Sequence, residues 1–269
     1  RLTDFDNPLF LPLLEDERPY DSLTDISLRW LNKVGRQDQP FFLNFCPKLV
    51  HGPIMTRDRK RLAYYCKKLG IDFPTDPGAI ADPETPGQNN PYYASMVDSV
   101  DWMVAQVVET LESIDDPRNP GHKLIDNTYV IITSDNGGAQ RLATWKGLDG
   151  KRNYEKVTDN APLREGKTYM YEGGVKIPFI VMGPGIEPGS VNETTPITLL
   201  DLFPTFMAMG GMQPDPVLDL DGCNILPLIK DEGSQAKFAD GSVRDTLFFH
   251  HPADDKSYSV IQRKGWKLM

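Results

Sequence analysis

The chain predicts an α/β sandwich, because apolar runs of strand length alternate with longer segments of helical period. Two runs carry the strand side: Thr128–Thr133 and Ile177–Met182 are continuous, β-branched or aromatic, and bounded by Gly, Pro or polar residues. Such runs suit parallel strands covered on both faces. The helical side rests on residues 92–114, where Tyr93, Met96, Val97, Val100, Val104, Val107, Val108, Leu111 and Ile114 return at three- and four-residue steps.

Each further element follows from local chemistry. Residues 1–19 are irregular and rich in Pro, Leu and Asp. From Tyr20 an amphipathic pattern through Leu23, Ile26, Leu31 and Val34 predicts a helix closed by Gly35. Phe41–Cys46 has the length and aromatic content of a buried strand. Residues 56–69 predict a short helix opened by Thr56 and stopped by Gly70. The stretch from there to Pro91 is loop. A polar segment after residue 133 is too long for a mere connection. A helix at 198–209 and strands at Thr246–Phe249 and Tyr258–Ile261 complete the chain, and Trp266–Met269 begins another.

Bulk properties narrow the function. With 39% hydrophobic residues and no apolar stretch of membrane-spanning length, the expectation is a soluble protein without a membrane span. A net charge of -9 repels phosphate backbones, so no nucleic-acid partner is expected. Cys46, Cys66 and Cys223 lie far apart, without the spacing of a metal site or a disulfide framework. Asn192-Glu193-Thr194 is a sequon for glycosylation.

Three strand ends carry chemistry. Ser134-Asp135-Asn136-Gly137-Gly138 follows the Val130–Thr133 strand. Its glycines free the backbone so that a carboxylate and a carboxamide can converge on a hard cation, and the same residues also suit a plain turn. His51-Gly52-Pro53 lies beyond Cys46, where an imidazole can protonate a leaving group or serve as an ordinary loop residue. Lys167 sits between flexible backbone and a strand, where it can neutralise a bound oxyanion or remain solvated. Asp98 and Asp101 look like paired carboxylates, but local solvation or capping explains them as well. Arg57, Arg59, Lys60, Arg61, Lys67 and Lys68 form either a solvated basic face or a surface for a polyanionic glycan, and Trp145 can stack on a sugar.

The motifs also occur in a telling order. Phe41-Phe42-Leu43, His51-Gly52-Pro53, Tyr93–Val97, Ser134–Gly138, Asn160–Lys167, Tyr171–Pro178 and Leu200–Thr205 together resemble the sulfatase family of the alkaline-phosphatase superfamily. The resemblance implies a three-layer α/β/α sandwich with a mostly parallel sheet, truncated at its N-terminus. It implies a partial catalytic domain over 1–240 and the start of a small antiparallel subdomain over 241–269. It further implies a sulfuric ester hydrolase in which Asp135 and Asn136 ligate calcium, His51 protonates the leaving group and Lys167 binds the sulfate oxygens. Phe248–Pro252 resembles a family stretch that places His250 on the substrate, a sulfated small molecule or glycan. The family's formylglycine arises from Cys or Ser in a Cys-x-Pro-x-Arg signature, which none of the three cysteines fits. The nucleophile and the remaining calcium ligands are therefore expected upstream, and this polypeptide alone is expected to be inactive. The family points to an extracytoplasmic location: periplasmic, secreted, or lysosomal in a eukaryote. Two rivals stay open: a phosphatase, phosphodiesterase or phosphonate hydrolase of the same superfamily, and a glycan-binding pseudoenzyme or inactive fragment.

Overall fold

The structure, a computed structural model, describes residues 21–73, 86–146, 152–215, 217–233, 235–252 and 257–269. The side chains of 143–146 and 152–155, Trp145 among them, lie outside that description, as do residues 1–19 and most of the Pro-rich stretch before Pro91. The chain divides into two compact units: residues 1–126 with 137–174, and residues 127–136 with 175–269.

The first unit is built on three helices. Helix α1 (Ser22–Val34) opens where the Asp21 carboxylate accepts from the Thr24 amide at 2.7 Å. Helix α2 (Arg59–Leu69) is capped by Asp58 rather than Thr56; the Thr56 hydroxyl instead accepts from the Asp58 amide at 3.0 Å. Asp58 wins because its carboxylate reaches both the Arg61 amide, at 2.9 Å, and the Arg61 side chain. Helix α3 (Pro91–Ser113) begins with a proline at its first position and Asn90 as its cap. Both shorter helices pack on α3. Leu62, Cys66 and Tyr92 form one buried cluster, and Leu31, Leu111, Ile114 and Leu124 are also buried.

The paired-carboxylate reading of Asp98 and Asp101 is overturned at Asp98. Its carboxylate receives the Arg61 guanidinium and, at 3.0 Å, the Tyr65 hydroxyl, which joins α2 to α3. Burial, and then the hydrogen bond to Asp98, push the Tyr65 phenol up to about 12.

The second unit holds β1 (Val130–Thr133) and, later, β4 (Phe179–Met182). They pair antiparallel, with Val130 opposite Met182 and Thr133 opposite Phe179. All strand pairs among the described residues are antiparallel. The β-branched run therefore marks the strand but not its neighbour's direction, since apolar cover says nothing about which way the next strand runs. Phe41–Cys46 forms no ladder among the described residues, although its exposure alternates with strand period.

The long polar segment is not a loop throughout. It contains a hairpin of β2 (Arg141–Lys146) and β3 (Arg152–Lys156), then a helical turn, α4 (Glu172–Val175). The second unit also holds α5 (Leu202–Met209) and α6 (Leu226–Ile229), and Leu228 of α6 joins Cys223, Ile225 and Ala236 in a buried core. A three-stranded meander follows: β5 (Thr246–His251), β6 (Tyr258–Arg263) and β7 (Trp266–Leu268).

One buried ion pair fixes this second unit. Asp201 is fully buried, and both of its oxygens meet the Arg244 guanidinium, one at 2.8 Å. The same carboxylate accepts from the Cys223 and Thr198 amides, each at 2.8 Å. Every lone pair that water would have served is taken, which is what makes burial of this charge tolerable.

Candidate functional site

The predicted site residues fall in both units, and each set is held locally. Asp135 and Asn136 belong to the second unit, in the turn directly after β1. That turn is shaped by the Ser134 hydroxyl, which donates to the Asn136 carbonyl at 2.9 Å. The Asp135 side chain is exposed and Asn136 is half-buried. Among the described residues, no hydrogen bond or ion pair engages the Asp135 carboxylate or the Asn136 carboxamide. The two offer uncommitted oxygens of the hard type that calcium or magnesium takes, so they fit part of a calcium shell. Among the described residues, no three His, Cys, Asp or Glu side chains gather as a metal cage.

His51 lies in the first unit, exposed at the surface, with its amide bonded to the Lys48 carbonyl at 2.9 Å. Its Nδ1 lies 2.9 Å from the Gly52 carbonyl. A carbonyl only accepts, so this contact requires the hydrogen on Nδ1 and leaves Nε2 outside it.

Lys167, half-buried, is carried by a loop of the first unit that backbone contacts hold together. Its amide donates to the Gly138 carbonyl at 3.0 Å. The Asn160 carboxamide donates to that same carbonyl at 2.8 Å and to the Glu165 carbonyl at 3.1 Å, clamping both ends of the turn. Glycines then let backbone touch backbone. A Cβ at Gly173 would stand 1.9 Å from the Glu165 carbonyl oxygen, and one at Gly137 would stand 1.9 Å from that of Gly173. Thr168, next to the lysine, has a φ of 78°, a left-handed conformation costly for a β-branched residue. Such strain persists only where the surroundings enforce it. The Arg164 guanidinium stacks over Tyr171 with 3.8 Å to the ring centre.

The base of this loop is anchored separately. Asn90, the α3 cap, donates to the Lys156 carbonyl at 2.8 Å, and Gln88 bonds both Thr158 and the Asp159 backbone. The Ala161 and Gly87 amides, and then Lys156, hold the Asp159 carboxyl below its ordinary range. Among described residues the Lys167 ammonium has no hydrogen-bond or ion-pair partner. A rigid backbone therefore presents a free cation.

His250 lies in the second unit on β5, exposed, with Nδ1 2.9 Å from the Ser259 hydroxyl across the ladder. Sequence reasoning left Asn160 without a role. Its place in the Asn160–Lys167 motif was visible, but the partner carbonyls of Gly138 and Glu165 are set by folding.

Comparison with known proteins bears on the family and the fold. A family model described as Sulfatase matches residues 3–212. A sulfatase from Formosa agariphila is 32% identical over 238 residues, covering 86% of this chain and 36% of that protein. Human arylsulfatase A is 34% identical over 139 residues, covering 51% of this chain and 23% of the relative. The chain thus spans about a third or less of the length of these relatives. The crystal structure of Ps i-CgsB in complex with k-i-k-neocarrahexaose superposes with a TM-score of 0.66 at 27% identity, over 94% of this chain and 46% of that one. That likeness supports the alkaline-phosphatase-like α/β fold expected from the sequence, with a small C-terminal sheet.

Proposed function

The chain belongs to the sulfatase family, and from that premise we propose that it serves the hydrolysis of sulfate monoesters, with carbohydrate or aryl sulfates as substrates. A sulfate monoester carries negative charge on its outer oxygens and expels a poor alkoxide. Its cleavage therefore needs cations at the sulfuryl group and a proton at the departing oxygen. In this reading Lys167 grips the sulfate oxygens and His51 holds a proton at Nε2 for the leaving group. Asp135 and Asn136 would hold calcium, which when bound neutralises charge on the sulfuryl oxygens. His250 contacts the substrate. The attacking group is a formylglycine hydrate, made from a signature that these 269 residues do not contain. The carbohydrate preference draws on Ps i-CgsB, which was crystallised with k-i-k-neocarrahexaose. An extracytoplasmic setting follows from the family resemblance, and among the described residues no helix is long and apolar enough to cross a membrane.

One observation carries the assignment of roles. Charged groups with structural duties here are consumed: Asp201 by Arg244, and Asp98 by Arg61 and Tyr65. The Asp135 carboxylate, the Asn136 carboxamide, His51 Nε2 and the Lys167 ammonium are not engaged by any described residue.

The test is turnover of aryl and alkyl sulfates by the enzyme that joins these residues to the nucleophile. Lys167→Ala should lower kcat/KM by about 10²–10³-fold. Asp135→Ala and Asn136→Ala should each raise the calcium concentration needed for half activity. His51→Ala should hurt alkyl sulfates by about 10²–10⁴-fold, and aryl sulfates with good leaving groups far less, since those need no proton. Unchanged kcat/KM in Lys167→Ala together with an unchanged calcium requirement would sink the proposal.

A further inference from the structure

Asn160 stands seven residues before Lys167 and carries no charge, yet the lysine's loop is built around its side chain. Its Nδ2 lies 2.8 Å from the Gly138 carbonyl oxygen and 3.1 Å from that of Glu165. Both partners only accept, so the amide end of the carboxamide, with two hydrogens to give, must face them. An aspartate has the same shape and neither hydrogen. Its carboxylate would turn negative oxygens on two carbonyl oxygens, so the choice of Asn over Asp is chemical rather than steric.

The same side chain accounts for two glycines. A Cβ at Gly138 would stand 2.7 Å from Asn160 Oδ1, and one at Gly166 would stand 2.7 Å from Asn160 Nδ2. The carboxamide therefore fills a slot between two backbone segments, and side chains at 138 and 166 would close it. Both walls of the slot lead to the lysine. The Gly138 carbonyl also accepts the Lys167 amide at 3.0 Å, and Gly166 directly precedes the lysine in the chain. Glu165, the second acceptor, has a φ of 59°, and Thr168 on the far side has 78°. Left-handed residues thus flank Lys167 on both sides, a conformation that persists only where neighbouring contacts enforce it.

We propose that Asn160 is a positioning residue for sulfate-ester cleavage: through the Gly138 and Glu165 carbonyls it fixes the backbone from which Lys167 reaches the sulfuryl oxygens. This rests on the reading of Lys167 given above and adds a residue that acts through the lysine alone. Grip on developing charge depends on placement, and a displacement of about 1 Å costs on the order of 10²-fold in rate.

Two measurements test it. In the enzyme that joins these residues to the nucleophile, Asn160→Asp should lower kcat/KM for an aryl sulfate by about 10–10²-fold. The same change made in a Lys167→Ala background should cost less than about threefold, because the group it positions is gone. Equal losses in the two backgrounds overturn the proposal, since a merely structural defect ignores which residue stands at 167. The second measurement needs no turnover. In the unmodified 269-residue chain, the Asn160 carboxamide protons should exchange with water at least about tenfold more slowly than those of the exposed Asn192. That result holds however the variants fold. Asn160→Asp should then speed exchange of the Lys167 amide at least about tenfold and leave the Leu31 amide in α1 unchanged. Carboxamide protons as labile as those of Asn192, or a Lys167 amide indifferent to Asn160→Asp, overturn the proposal. Should the enzyme hydrolyse no sulfate ester while the exchange results hold, the reaction is refuted and the positioning of Lys167 is upheld.

Discussion

Replacing Gly173 by Ala tests whether the Lys167 loop is held by backbone contact. The added methyl would stand 1.9 Å from the Glu165 carbonyl oxygen and 2.7 Å from that of Arg164. Ordinary contact begins near 3.4 Å, so the two segments must part by 1.5 Å, the difference between 3.4 and 1.9. Neither side has a rotamer to change, because both obstacles are backbone. Parting them breaks the hydrogen bond from the Gly173 amide to the Arg164 carbonyl, now 2.9 Å. One lost hydrogen bond costs about 1 kcal/mol and overpacking about 1–3 kcal/mol, so the loss should be about 2–4 kcal/mol. Urea unfolding of the 269-residue chain measures it. Gly233→Ala is the control, since among the described residues its methyl would meet only Pro227, at 3.7 Å. Should Gly173→Ala unfold within about 0.5 kcal/mol of that control, the packing account of the loop is wrong.

Other perturbations probe the remaining structure. Arg244→Met leaves the buried Asp201 carboxylate without its counter-ion and should cost about 3–5 kcal/mol in urea unfolding, while a loss under about 1 kcal/mol would contradict the buried pair. The Tyr65 phenol, raised to about 12, keeps its proton in the folded chain where an unfolded tyrosine has lost it. Its contribution is complete below pH 10 and fades as pH climbs through about 12, so Tyr65→Phe should flatten the alkaline fall in unfolding free energy; an unaltered fall would refute this. Cys46 is exposed, whereas Cys66 and Cys223 are buried with thiols pushed up by burial. A disulfide reagent at pH 8 should therefore titrate one thiol promptly in the native chain and all three in urea, and prompt reaction of a second native thiol would disprove the burial.

Much of the local structure was readable before folding. Helices α1 and α3 announced themselves by apolar period, α2 by its closing Gly70, and β1 and β4 by β-branched runs between breakers. The β2–β3 hairpin was not readable, because Arg141–Lys146 and Arg152–Lys156 lack a clean alternation and their register shifts between Ala143 and Lys146. At the site, Asp135, Asn136, His51 and Lys167 stood out as polar residues beside strand ends and glycines. Whether they were free was not legible. Asp98, read from the sequence as a locally solvated or capping carboxylate more than a functional one, is instead taken by Arg61 and Tyr65 from the neighbouring helix.

The sequence by itself determined helices α1, α2, α3 and α5, the two apolar strands, the family and the residue types offered for chemistry, since period and motif order are properties of neighbours along the chain. Only the tertiary structure decided strand direction, which carboxylates are spent on ion pairs, and how Gly137, Asn160 and Gly173 lock the loop bearing Lys167. Those outcomes depend on partners tens of residues away, and no local pattern encodes which distant carbonyl or guanidinium will arrive within 3 Å.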